Sequence, residues 1–150
     1  MPSHPTEQLA QLIEQKHACL VALRDLGLRQ RELVEEEELS QLFKLLSTKQ
    51  QLLTMLQSLE QGLEPYRNQH PEHRHWTSEA VRARCAALAD ECPGLLKEVL
   101  AQEAESERRL RQRRDETETQ INSARSAVVA RQAYVHQERT SVGKLDLTTD

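Results

Sequence analysis

The chain has 150 residues with a net charge of −4, 29% charged residues and only 3% aromatic ones. That length fits one domain, and the negative balance gives no global electrostatic case for nucleic acid. Four Gly and five Pro are too few for a sheet protein, whereas 23 Leu, 15 Gln and many Glu, Arg and Ala favour helix. The expected class is all-α: an elongated antiparallel helical hairpin or bundle of three to four helices with a long C-terminal helix.

The first helix is expected over about residues 5–34. Ser3 can cap it, and Pro5 sits where first-turn amides have no intrahelical partner. Its apolar face is Leu9, Leu12, Ile13, Cys19, Leu20, Leu23, Leu26, Leu33 and Val34. The acidic run Glu35–Glu38 follows. Four successive like charges repel one another and favour a helix start over a helix interior. A tight turn is therefore expected at 34–38, although no Pro or Gly forces it.

The second helix is expected over 38–64. Leu, Phe or Met occupies positions 39, 42, 43, 45, 46, 52, 53, 55, 56, 59 and 63, the three-and-four spacing of a wide apolar face. Helix 1 and the last helix are expected to cover it. Residues 64–76 should form a loop, because Pro65 and Pro71 break helices. Thr77 is the expected cap of a third helix over 77–91, with Trp76 in position to staple onto Val81. Cys92-Pro93-Gly94 predicts a break or sharp kink. The last helix is expected over 95–138, with a stripe at Leu96, Val99/Leu100, Ala104, Leu110, Thr117, Ile121, Ala124, Val128 and Val135. That stripe is thin between Leu100 and Ile121. Residues 1–138 are thus expected as one bundle domain and 139–150 as a flexible tail.

Several features invite a chemical reading. His70, His73 and His75 could suggest a metal, yet their spacing with Cys85 and Cys92 matches no zinc pattern, so a solvated polar loop is the better reading. The run Arg108–Arg114 could suggest nucleic acid. Glu105–Arg109, Glu107–Arg111, Arg111–Asp115 and Arg114–Glu118 stand four apart and neutralise it, and no aromatic residue interleaves to stack on bases. No arrangement of nucleophile, base and oxyanion donors is visible, nor a Gly-rich phosphate loop, so neither an enzyme nor a cofactor is expected. Three cysteines at no framework spacing, no apolar run of membrane-spanning length and no basic-then-apolar leader point to the cytoplasm, without membrane insertion. The apolar stripes remain. A bundle with spare apolar surface suits recognition of a partner helix.

The segment LRQRELVEEEELSQLFKLLSTKQQLLTMLQSLE (Leu28–Glu60) resembles the N-terminal half of FlgN-type flagellar export chaperones, with Lys49 before Leu52-Leu53 at a matching place. The layout of helices over most of residues 8–137 is similar too. The His-rich loop at 70–75 and the Arg/Glu-rich late helix depart from the family's pattern. The resemblance implies a cytoplasmic type III export chaperone. It would bind C-terminal amphipathic helices of hook–filament junction proteins, keep them unpolymerised, and deliver them to the export ATPase or export gate. It implies a client surface at Leu110, Ile121, Ala124, Val128 and Tyr134. The competing expectation is a coiled-coil scaffold that self-associates through the same stripes; an Arg-rich helix binding nucleic acid comes third.

Overall fold

The computed structural model describes the backbone of residues 5–148 and the side chains of residues 5–140. The described residues form three α-helices and one short 3-10 turn: α1 (Pro5–Glu35), α2 (Leu39–Arg67), the turn Pro71–His73, and α3 (Glu79–Thr148). The fold is all-α with a long C-terminal helix. The chain divides into two compact units, Met1–Ser106 and Glu107–Asp150, where one domain was expected.

The first unit is a three-helix bundle of α1, α2 and the 79–106 part of α3. The acidic run does make the turn between α1 and α2. Glu37 takes a left-handed φ of 58°, and the amides of Glu36 and Glu38 close onto the carbonyls of Glu32 and Leu33 at 2.9 and 3.1 Å. A left-handed residue after the last helical turn is the usual way to satisfy those carbonyls, but glycine fits it best. Glu37→Gly is therefore expected to raise unfolding stability by about 0.5–1 kcal/mol, by removing Cβ strain and one of four crowded charges. Urea unfolding followed by circular dichroism measures this; a lower midpoint would contradict the strained turn.

Each helix buries one stripe. In α2 the inward positions are Leu42, Leu45, Lys49, Leu52, Leu56, Leu59 and Leu63, alternating steps of three and four. In α3 they are Cys85, Leu88, Cys92, Leu95 and Val99. Cys19, Leu23, Leu59 and Val99 pack together, with Leu12, Leu52 and Leu56 against them. Leu20, Cys92 and Leu95 form the neighbouring cluster. Polar pairs fix the directions. Gln8 meets Tyr66, Lys16 meets Glu60, and Gln30 meets Lys49, so α2 runs antiparallel to α1. Glu14 meets Arg84, His17 meets Glu91, and Arg24 meets Glu98, so α3 runs parallel to α1.

α2 continues through Pro65 to Arg67, which corrects the expected loop start, and α3 passes Pro93 without a break. A proline inside a helix costs about 3 kcal/mol. On either side of Pro93, however, Cys92, Leu95 and Val99 are all buried on one face, and a continuous helix is what keeps them in register. At the end of α2, the buried Leu63 and the Tyr66 hydroxyl, which donates to the Gln8 side chain at 3.2 Å, hold the last turn onto α1. The loop is accordingly shorter than the expected 64–76 at its N-terminal side. The cap of α3 is Ser78 rather than Thr77: its hydroxyl accepts the Val81 amide at 3.1 Å. The backbone is helical to Thr148, so most of the expected 139–150 tail is helix; Thr149 and Asp150 lie outside the described residues.

The core holds polar groups that the apolar pattern conceals. Lys49 is only 7% exposed. Its ammonium donates to Gln30 Oε1 at 3.1 Å and pairs with Glu103, so one side chain ties α2 to both neighbours. Burial pushes its pKa down. Gly27 has a packing reason as well. A Cβ there would stand 2.1 Å from Gln102 Oε1, and the Gln102 amide donates to the Arg24 carbonyl at 3.0 Å. The glycine lets the α3 side chain lie across the α1 backbone. Cys19, Cys85 and Cys92 are free, buried thiols whose pKa values burial raises, which is packing rather than reactivity.

In the second unit the described residues 107–140 are helical, and their side chains from 110 onward are exposed. Arg111 pairs with Glu107 at 2.5 Å, four residues apart as the spacing predicted, whereas Arg114 turns to Asp115 at 3.6 Å. No described helix is long and apolar enough to cross a membrane.

Candidate interaction surfaces

The apolar residues that α3 carries beyond Ser106 are exposed. Leu110, Ile121, Val128, Val129, Tyr134 and Val135 all stand in solvent, with Ile121 at 45% and Val128 at 51%. At about 100° per residue, Leu110, Ile121, Val128 and Val135 fall within roughly 40° of one another, and Ala124 is near them. They make one narrow seam, with steps of seven residues from Ile121 to Val135. Tyr134 does not share it. Thirteen residues from Ile121, it points roughly 140° away. Four of the five residues named from the resemblance thus lie on one face, and Val135 completes it.

A second apolar surface lies in the first unit, on the helix that was expected to be fully covered. Leu39, Phe43, Leu46, Leu53 and Met55 of α2 are exposed, Phe43 at 68%. They are left out because only two helices of the bundle cover α2, and its apolar residues spread wider than one inward stripe. Relative to the inward Lys49, Leu46 and Leu53 lie about 40–60° to one side. Gln41, which accepts from Arg29 of α1, lies on the other. In α3, Leu96 and Leu100 lie about 40–80° from the buried Cys92. Arg84, Glu91, Glu98 and Gln102, the partners of α1, lie on the opposite side. Leu46, Leu53, Leu96 and Leu100 therefore flank the seam between α2 and α3. Leu96 and Leu100, expected in the buried stripe, are out, and Leu95 and Val99 are in.

The α2 side of this face is poor in charge. From Leu39 to Leu59 only Lys44 and Lys49 are charged, and Lys49 is buried. The polar residues of that stretch are otherwise Ser, Thr and Gln. Apolar side chains with neutral polar surroundings and few charges mark the centre of a protein interface better than a solvated face. The sequence carried this signal, in the contrast between a chain rich in charge and a 21-residue stretch almost without it.

Among the described residues no group of three His, Cys, Asp or Glu is placed to hold a metal ion. No family model, curated protein or solved structure matches the chain.

Proposed function

We propose that this chain is a binding protein and not an enzyme: a cytoplasmic chaperone of type III export, similar to the FlgN type. Its clients are the C-terminal amphipathic helices of hook–filament junction proteins, which it holds unpolymerised before secretion and brings to the export ATPase or gate. The observation that carries the reading is the exposed seam Leu110–Ile121–Ala124–Val128–Val135, with Val129 and Tyr134 also exposed on other faces of the same helix. A helix with one apolar seam lacks only a second amphipathic helix to cover it. The α2 side of the α2–α3 face offers further charge-poor, apolar area for the same kind of partner.

Seven-residue steps also fit self-association, so the second reading is a coiled-coil scaffold. Affinity capture with the tagged full-length chain from its source cell separates the two. The expected result is recovery of flagellar axial proteins, with the chain itself monomeric by light scattering at low micromolar concentration. A stable dimer built through Ile121 and Val128, with no axial protein recovered, would overturn the chaperone reading in favour of the scaffold.

A further inference from the structure

A cleft of about 520 Å³ opens in the first unit between the start of α1 and the segment that follows α2. Leu9 and Tyr66 supply its apolar wall. His70, His73, Arg74 and His75 supply much of its polar lining. The segment is pinned on both sides. The Thr6 hydroxyl donates to the His75 carbonyl at 2.8 Å, and Arg74 Nη2 donates to the Tyr66 carbonyl at 2.6 Å. The His70 and His73 rings lie 5.1 Å apart between centroids.

The charge arrangement is one-sided. Among the described residues no carboxylate lines the cleft. The acid beside it is Glu72, whose Oε2 is 4.0 Å from His70 Nδ1 and whose side chain is largely in solvent. α1 contributes Thr6 and Leu9, and α2 contributes Tyr66, none of them acidic. Arg67, next along α2, is already paired with Glu60 and Glu64. Arg74 is a permanent cation, and its Nε is buried with no hydrogen-bond partner.

We propose that this cleft binds an oxyanion, a carboxylate or a phosphate, attached to an apolar or aromatic body. Arg74 provides the fixed counter-charge, and His70, His73 and His75 offer ring N–H donors along the same lining. Leu9 and Tyr66 take the apolar body. The site is independent of the helix-binding surfaces, so its fate does not depend on the chaperone reading.

The test is a proton NMR titration of the full-length chain with phenyl phosphate and with benzoate at pH 7, following the imidazole resonances. The expected result is saturable shifts at His70, His73 and His75 but not at His17 or His136. Stronger binding of benzoate identifies a carboxylate ligand, and stronger binding of phenyl phosphate a phosphate ligand. Arg74→Gln should weaken binding of both anions about tenfold, and His73→Gln by a smaller factor. His73 is exposed, so that variant keeps the fold even if loss of the Arg74–Tyr66 hydrogen bond disturbs the segment. Absence of saturation with either anion, or equal shifts at all observed histidines, would overturn the proposal.

Discussion

Ile121→Asp combined with Val128→Asp is expected to abolish capture of a helical client while the chain keeps its fold. Both side chains are about half exposed on one face of α3, seven residues apart. Burying a branched aliphatic side chain at an interface contributes about 1.5–3 kcal/mol, and a carboxylate in its place adds a desolvation cost. Together the two changes should weaken binding at least about 100-fold. The cost to the helix is small, because Asp and Ile differ by only a few tenths of a kcal/mol in helix propensity. Binding by titration calorimetry and helicity by far-ultraviolet circular dichroism read the two effects separately. A collapse of helicity along with binding would show that these residues are core.

Leu23→Ala should do the reverse and damage the fold directly. Leu23 is buried in the cluster it forms with Cys19, Leu59 and Val99, where all three helices of the first unit meet. Truncating a buried leucine costs about 2–5 kcal/mol, depending on how far the cavity collapses. Against a typical total of about 5–15 kcal/mol, that is a large fraction. The expected fall in melting temperature is about 10 °C or more. A fall of only a degree or two would mean that the three-helix core is not packed as described. Comparing Leu23→Ala with Phe43→Ala sharpens the test, since the exposed Phe43 should cost little.

These two predictions divide the apolar residues into those that hold the bundle and those left for a partner. Sequence pattern makes only part of that division. The Leu39–Leu63 stripe is legible as a helix because its spacing is regular over many turns. The turn at Glu36–Glu38 is legible because like charges disfavour a helix interior. Which leucines of α2 face inward is not legible, since apolar residues occupy more than one face and only the packing of α1 and α3 chooses among them. Leu46 and Leu53 stay outside while Lys49, a charged residue, goes inside with Gln30 and Glu103 as partners. Pro65 and Pro93 do not end their helices for a related reason. Local backbone cost lost to the burial of residues on either side, and local pattern does not report that burial.

The candidate site divides in the same way. The seam from Leu110 to Val135 follows from helical geometry alone, and the angular position of Tyr134 could have been found by the same arithmetic; the resemblance had grouped it with the others. The charge-poor face of α2 was present in the composition of one segment. It gains meaning only once Phe43 and Leu39 are seen to be uncovered.

Amide hydrogen exchange on the full-length chain, with and without a synthetic C-terminal helix of a captured axial protein, tests the central claim most directly. The account predicts slowed exchange over residues 107–137, where the helix otherwise exposes its seam, with little change at the buried Leu20 and Leu23. Unchanged exchange across residues 107–137 in the complex would contradict it.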